Sequence, residues 1–175
     1  MSETLQTLVN RKSCKAYAPE LIEEEKLEAI IKAGTYAATG MGKQSPIIIA
    51  ITNKEMRDKL SRMNAKVMGK EGELDPFYGA PELLLVLADK SVPTYIYDGS
   101  LVMGNLMNAA FDLGVGSCWI HRAKQEFETE EGKAILKELG IEGDYEGIGH
   151  LILGNPAAPY HEDVPRKDNY VYYVK

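Results

Sequence analysis

The chain has 175 residues, with 20 lysines and arginines against 26 aspartates and glutamates, and therefore a formal net charge of −6. A chain of this length buries about 70% of its unfolded surface, enough for a compact core without metal or disulfide support. We therefore expect residues 1–175 to form a single domain. The acidic balance argues against general nucleic-acid binding, which requires a basic face.

The amino terminus and the cysteines bear on the cellular compartment. Residues 1–4 lack the cationic and apolar organisation of a secretory signal, and no apolar run approaches the ~20 residues that span a bilayer. The two cysteines, Cys14 and Cys118, stand in apolar surroundings, which is typical of reduced thiols that pack in a core. We expect a cytoplasmic protein.

Taken in chain order, the hydrophobic pattern predicts helices and strands without internal repeats. Apolar residues at helical spacing predict helices over residues 3–9, 22–38, 54–68, 97–113 and 130–139. Apolar runs of strand length predict strands over residues 46–51, 82–88, 116–120 and 147–153. The first two strands have no polar face, which is typical of central strands covered by helices on both sides. The sequence therefore predicts an α+β sandwich around a mixed β-sheet.

The carboxyl-terminal residues 169–174 combine valines and tyrosines in a way that is typical of a strand. They follow a proline-rich irregular stretch over residues 156–165. Two interpretations stay open at this stage. The segment could pair with another subunit, or it could form an edge strand within the sheet of its own chain.

A cluster of cations stands near the amino terminus, where Arg11, Lys12 and Lys15 surround Ser13 between an apolar amphipathic stretch and Tyr17. Such a cluster in an ordered turn indicates a site for an anion such as phosphate. The simpler interpretation is that the cations solvate the end of the preceding helix, where each contributes roughly 0.3–1 kcal/mol.

Four further blocks follow this cluster in a fixed order: Ala-Ala-Thr-Gly-Met-Gly-Lys-Gln over residues 37–44, Gly-Val-Gly-Ser-Cys-Trp-Ile over 114–120, Gly-Asn-Pro over 154–156 and Pro-Arg-Lys over 165–167. Together with residues 11–15, they resemble the FMN-dependent nitroreductase family over nearly the whole chain. The resemblance implies a nitroreductase-like α+β sandwich in an intertwined homodimer. It also implies that the carboxyl-terminal segment embraces the partner and that the helix near Gly104 lies in the interface.

The resemblance assigns the phosphate of FMN to cations from both ends of the chain. Arg11 and Lys12 would reach the phosphate and ribityl chain, while Arg166 and Lys167 would close over the phosphate. Arg166 is the better ligand of this late pair, because a guanidinium forms two parallel hydrogen bonds to phosphate and an ammonium acts as a point charge.

The flavin ring would meet three other side chains by the same resemblance. Ser13 would hydrogen-bond the ribityl chain or the ring, and Asn64 would hydrogen-bond the pyrimidine edge. Lys15 would lie near N1 and O2, where a cation stabilises the negative charge of the reduced ring.

Residues 38–44 resemble the family loop Pro-Ser-Gly-x-Asn-x-Gln-Pro-Trp, which comes from the partner subunit and covers the flavin. The corresponding positions are Ala38, Thr39, Gly40, Gly42 and Gln44, and Ala38 replaces the first proline of the family loop. Gly42 replaces the family asparagine and so cannot make its side-chain contact, and serine and proline replace the Pro-Trp pair. Without the resemblance, the segment indicates a glycine-rich turn that needs a positive φ at Gly40 or Gly42.

The strand end at Trp119, Ile120 and His121 would face the reactive edge of the flavin. An amide N–H of Ile120 or His121 would approach N5 or O4. His121 could also cap the substrate channel, donate protons or be structural. The sequence favours a packing role for Cys118, because no histidine and carboxylate pair accompanies it. The histidines lack metal-ligand spacing, so we expect no metal.

Residues 65–79 lack clear periodicity and are rich in glycine, which indicates a lid over the substrate side. Phe77 and Tyr78 could line the opening or pack inward.

The expected function is that of an FMN-dependent oxidoreductase. It would take a hydride from NADH or NADPH and reduce a small electron-poor acceptor such as a nitroaromatic or a quinone. One alternative is a flavin store or redox sensor with little turnover, in which the altered loop over residues 38–46 restricts access. A dehalogenase-like or flavin-fragmenting enzyme of the same fold is a third possibility, although no added domain supports it.

Overall fold

The computed structural model describes residues 1–175 and contains six α-helices and four β-strands. The helices are α1 (Glu3–Asn10), α2 (Glu24–Thr35), α3 (Lys54–Val67), α4 (Tyr95–Asp112), α5 (Ala123–Glu128) and α6 (Glu130–Glu138). The strands are β1 (Pro46–Ile51), β2 (Glu82–Asp89), β3 (Gly116–Ile120) and β4 (Tyr145–Gly154). Every helix and strand predicted over residues 3–153 is present. Helix α5 was not predicted, because it is too short to show a helical period.

The four strands form one sheet in the order β1-β2-β4-β3, and every pairing is antiparallel. The prediction of a mixed sheet is therefore wrong for the strands of this chain. A continuous apolar run indicates that a strand is buried on both faces. It does not indicate whether the neighbouring strand runs parallel or antiparallel. The central position predicted for β1 is also wrong, since β1 lies at an edge and is only partly buried.

Helices cover both faces of the sheet, as predicted. Alternate side chains of β2 enter two separate cores: Leu83, Leu85 and Leu87 pack in one, and their neighbours in the other. The first core lies under α3, α5 and α6, and the second lies under α2 and α4. Each fully buried leucine contributes about 1.5–3 kcal/mol relative to an exposed one.

Helix α2 is shorter at both ends than predicted. Ile22 stays outside it because its backbone N–H donates to the buried carboxylate of Glu82 at 2.7 Å. At the other end, the chain leaves the helix at Tyr36 and enters a short 3-10 turn at Gly40–Gly42. None of the six helices combines the length and the apolar character that crossing a bilayer requires.

The lid lies between α3 and β2 and is held by one carboxylate. Asp75 accepts hydrogen bonds from Arg57 Nη2 and Ser61 Oγ at 2.5 Å each, from the N–H of Phe77 at 2.9 Å and from the N–H of Gly79 at 2.7 Å. Four donors on one carboxylate fix the path of the lid across α3.

The two aromatic residues of the lid, Phe77 and Tyr78, are placed differently. Phe77 is completely buried in the first core. Tyr78 is 45% exposed and adopts a left-handed φ of 52°. Phe77 therefore packs inward, and Tyr78 faces outward.

The carboxyl-terminal tail, residues 156–175, contains a 3-10 turn at Asp168–Tyr170 and no strand. Its large apolar side chains from Val164 onward are exposed, from 59% at Val171 to 103% at Val174. An edge strand within the same sheet is therefore not formed. Pairing with a second subunit stays a prediction.

We expect Asp75→Asn to destabilise the protein at neutral pH and much less in acid. Burial raises the pKa of Asp75, but its hydrogen bonds lower it further, so the net pKa lies below the usual value. The stabilisation is complete above about pH 4, the unfolded pKa, and is lost as the pH falls through the lower folded pKa.

Urea unfolding should give a loss of roughly 1–3 kcal/mol at pH 7, the usual range for a hydrogen-bonded charged group. The loss should shrink below pH 4. Glu73→Gln, an exposed change in the same lid, is the matched control. An equal loss at both pH values would contradict the role of the ionised carboxylate.

Candidate functional site

A cavity of about 480 Å³ lies at the carboxyl end of β3. Its walls are formed by Lys15, by lid residues that include Met68, Leu74, Pro76 and Tyr78, and by Cys118, Trp119, Ile120 and Arg122. Its volume and largely apolar lining are those of a small-molecule site. The structure therefore brings together three predicted site residues, Lys15, Trp119 and Ile120.

The segment that carries the cations is fixed beside β3 by backbone contacts. The N–H of Cys14 donates to the carbonyl of Ser117 at 2.8 Å, and Tyr17 Oη donates to the carbonyl of Cys14 at 2.6 Å. A Cβ on Gly116 would lie 2.8 Å from Cys14 Sγ, so glycine permits this close approach. Lys15 is consequently held at the cavity.

Lys15 and Tyr78 form one rim of the cavity. The Nζ of Lys15 lies 5.5 Å from the centroid of the Tyr78 ring, within the range of a cation–π contact. The lid and the cation cluster therefore meet at this point, and the positive charge stays accessible to a ligand in the cavity.

A second cavity of about 230 Å³ lies behind Lys15. It is lined by Ser13 and Cys14 on one side and by Pro159 and Tyr160 on the other. Lys15 lines both cavities, so the two lie on either side of this one side chain.

Arg11 carries a buried and unpaired donor. Its Nη1 is inaccessible to solvent and has no hydrogen-bond partner in the protein. A buried donor without a partner costs about 1–3 kcal/mol, a cost that an anionic ligand would remove. This orphaned nitrogen fits a phosphate-binding role.

The other predicted phosphate ligands are placed differently. Lys12 forms an ion pair with Asp163 at 3.0 Å, so its charge is already partly neutralised. Arg166 and Lys167 lie in the exposed tail, and the Nζ of Lys167 lies 5.4 Å from the ring centroid of Tyr170. The Lys12–Asp163 pair brings the tail beside the cluster three residues before Arg166.

The loop over residues 38–44 does not line either cavity of its own chain. It is fixed by buried Asp98, which accepts from the N–H of Gly40 at 2.9 Å and from Ser45 Oγ at 2.8 Å. Gly42 has the expected positive φ, 65°. Gly40 is required for space instead, since a Cβ there would lie 2.3 Å from Thr94 Oγ1.

The remaining predicted residues of this loop are Ala38, Thr39 and Gln44. Thr39 Oγ1 accepts from the N–H of Gln44 at 3.2 Å, and Gln44 has a left-handed φ of 49°. Ala38 and Gln44 are exposed. Their contribution to a site on a second subunit stays a prediction.

Asn64 is placed otherwise than expected. Its side chain is completely buried and lines no cavity. Its Nδ2 donates to the carbonyl of His121 at 2.8 Å and to Glu126 Oε1, and its Oδ1 accepts from Arg122 Nε at 3.0 Å. These contacts use the donors and acceptor that a flavin ring would need, so we withdraw Asn64 as a direct ligand.

The end of β3 presents two free backbone donors. Neither the N–H of His121 nor that of Arg122 donates to an acceptor within the chain, whereas Ile120 pairs with His150 in the sheet. The His121 side chain is exposed and lies outside the cavity lining. The backbone of residues 121 and 122 is therefore better placed for a ligand than the imidazole.

Cys118 lines the cavity as a protonated thiol. Burial raises its pKa, and a hydrogen bond with Ser13 and the charge of Lys15 lower it by less. A thiol with a raised pKa is a poor nucleophile, which agrees with the packing role expected from the sequence.

Arg122 was not predicted as a lining residue. Its position directly after the strand end was a usable signal. Arg122 adds a second cation to the cavity wall.

Comparison with known proteins gives consistent results. A candidate NADH dehydrogenase/NAD(P)H nitroreductase from Archaeoglobus fulgidus is 29% identical over 161 residues, which cover 89% of this chain and 87% of that protein. The crystal structure of a nitroreductase with bound FMN from Bacteroides fragilis matches with a TM-score of 0.91 and 26% identity, covering 100% of both chains. A second FMN-bound nitroreductase, from Desulfitobacterium hafniense, matches with a TM-score of 0.87 and 26% identity over 99% of this chain and 100% of that chain.

The model of the nitroreductase family matches residues 8–155. This range contains the cation cluster, all four strands and the lid. The chain therefore belongs to the nitroreductase family.

Proposed function

We propose that the protein is an FMN-dependent NAD(P)H oxidoreductase that reduces a small electron-poor acceptor, such as a nitroaromatic or a quinone. The observation that carries this proposal is the pair of neighbouring cavities that Lys15 separates, together with the unpaired, buried Nη1 of Arg11. The largely apolar cavity fits a flavin ring, and the guanidinium fits a single terminal phosphate. FMN has both groups.

Bound FMN would supply hydride chemistry at its ring, and the protein residues would set the conditions for it. Lys15 places a positive charge at the rim, where it stabilises the charge that the ring gains on reduction. The free N–H groups of His121 and Arg122 would orient the reactive edge through hydrogen bonds. Arg11 would hold the phosphate, and Tyr78 would shield the outer side of the cavity.

The proposal is tested by stopped-flow reduction of the purified protein with NADH and with NADPH, followed by mixing with an acceptor. We expect heat to release FMN and no FAD, the bound flavin to bleach rapidly with at least one nicotinamide, and the acceptor to restore its colour. Bound flavin that bleaches only slowly would favour a store or sensor. Colourless protein that does not bind added FMN would contradict the proposal.

We expect Arg11→Met to weaken FMN binding by at least tenfold, because the substitution removes the charge-assisted bonds to the phosphate. Fluorescence quenching gives the dissociation constants. Riboflavin, which lacks the phosphate, is the matched ligand control, and its affinity should change little. Equal losses for FMN and riboflavin would show that the substitution damages the fold or the ring site.

We also propose that the working form is a homodimer with shared sites. Several large apolar side chains are exposed on α1, on α4 and in the tail, namely Leu5, Leu8, Val9, Ile96, Tyr97, Leu101, Tyr172, Tyr173 and Val174. Apolar exposure of this extent is typical of an interface. The loop over residues 38–44, which lines no cavity of its own chain, would cover the flavin of the partner.

Removal of residues 169–175 should lower both the dimer content and the retention of FMN, because the tail would lose its contacts with the partner subunit. Light scattering and the ratio of flavin to protein absorbance measure the two effects. Removal of Lys175 alone is the control and should change neither. A truncated protein that stays dimeric with full FMN would contradict the embracing tail.

Steady-state kinetics should follow a ping-pong scheme. One cavity lies at the end of β3, and we expect nicotinamide and acceptor to use the same space beside the flavin, so the two substrates must bind in turn. Double-reciprocal plots should be parallel, and excess acceptor should compete with the nicotinamide. Intersecting lines would show that both substrates bind at once.

A further inference from the structure

Arg122 has an unusual backbone and a fixed side chain. Its φ is 84°, in the left-handed region, which costs a residue with a side chain about 1–3 kcal/mol. Its Nε donates to Asn64 Oδ1 at 3.0 Å, and the residue lines the 480 Å³ cavity. The surrounding structure holds this arginine against its backbone preference.

The support for Arg122 is a buried polar network. Asn64, Glu126 and His150 are all 0% exposed. The Nε2 of His150 lies 3.0 Å from Glu126 Oε2, and the other carboxylate oxygen accepts from Asn64 Nδ2. Because Nδ2 is held by Glu126 and by the carbonyl of His121, the amide can point only its oxygen at Arg122.

The lid rests on the same network. The ring of Phe77 packs against that of His150 with centroids 5.1 Å apart. The Nδ1 of His150 has no partner, which suits an imidazole that carries its proton on Nε2 and donates it to Glu126. The buried side chains that position Arg122 are therefore fixed by contacts with one another and with the lid.

The guanidinium of Arg122 remains available to a ligand. Asp75, the acidic residue of the cavity wall, is already paired with Arg57 at 2.5 Å, and no ion pair joins Arg122 to a carboxylate. Only Nε is fixed by a side chain, so the two terminal nitrogens are free to donate. A planar fork of donors suits acceptor oxygens.

We propose that Arg122 is a second cofactor-facing cation, which donates to a pyrimidine carbonyl oxygen of the flavin and raises its reduction potential, and that Asn64, Glu126 and His150 are its positioning residues. The inference rests on the proposed function, since it requires FMN in the cavity. Asn64, expected from the sequence to contact the ring itself, instead acts through Arg122.

The chemical reason is the charge of the reduced ring. Hydride transfer breaks the C4–H bond of NAD(P)H, oxidises the nicotinamide and adds two electrons and one proton to the flavin, which becomes an anion. Its carbonyl oxygens then accept hydrogen bonds more strongly than in the neutral oxidised ring. A fixed guanidinium therefore favours the reduced form.

The test is spectroelectrochemistry of FMN-loaded Arg122→Gly, Arg122→Lys and Asn64→Leu proteins. Glycine adopts a φ of 84° without strain, so Arg122→Gly relieves the backbone strain and offsets the lost hydrogen bond to Asn64. We expect it to lower the preference for reduced over oxidised FMN at least tenfold, about 30 mV for a two-electron couple. Arg122→Lys should restore part of the potential. Asn64→Leu keeps the positive charge of Arg122 but removes the hydrogen bond that fixes its side chain. This variant should lower the reduction potential by less than Arg122→Gly does.

Two further variants serve as comparisons for the measured reduction potential. Lys15→Met should lower the potential independently, since that cation lies at the other wall. Arg62→Met removes an exposed charge from the same helix as Asn64 and should leave the potential unchanged. If Arg62→Met lowers it as much as Arg122→Gly, the effect comes from net charge and the inference is wrong.

Other outcomes separate this inference from the proposed function. An unchanged potential in fully loaded Arg122→Gly would overturn the role of Arg122 while leaving the oxidoreductase proposal intact. An unchanged potential with a raised KM only for carboxylate-bearing acceptors would place the guanidinium against the acceptor and also overturn it. Native protein that binds no FMN would contradict the proposed function itself.

Discussion

The burial of the sheet on both faces is the constraint on which the site depends. Since α3, α5 and α6 cover one face and α2 and α4 the other, no strand side chain in the middle of the sheet can meet a ligand. Polar chemistry is therefore confined to the end of β3 and to the segments that pass it. The backbone bond from Cys14 to Ser117 brings the cation cluster to this end, and α3 supports the lid above it.

Three irregular segments with a proposed role at the site are each fixed by one partly or fully buried carboxylate. Asp98 holds the loop over residues 38–44, Asp75 holds the lid, and Glu126 holds the turn after β3 through Asn64. A carboxylate that accepts several hydrogen bonds satisfies backbone donors that a loop cannot satisfy by itself. The acidic residues thus give the loops a defined geometry.

Unlike these carboxylates, the cations of the cavity wall have no acidic partner in the protein. The chain carries a net charge of −6, yet the cavity wall holds Lys15 and Arg122, and a buried nitrogen of Arg11 stays unpaired. Asp75, the acid in that wall, is neutralised by Arg57. Positive charge is therefore left unpaired at the cavity, which is the electrostatic condition for binding a phosphate and stabilising a reduced ring.

The sequence by itself determined the positions of the main helices and strands, the burial of β2 on both faces, the cation cluster and the family, because periodicity and short motifs are local properties. Only the tertiary structure decided the strand directions, the inward packing of Phe77 and the partners of Asn64. Asn64 and Glu126 are 62 residues apart in the chain, and a local pattern does not specify which distant groups will satisfy a buried amide. Arg122 shows the same limit, since its place in the cavity wall comes from a left-handed turn and a hydrogen bond that only the folded chain provides.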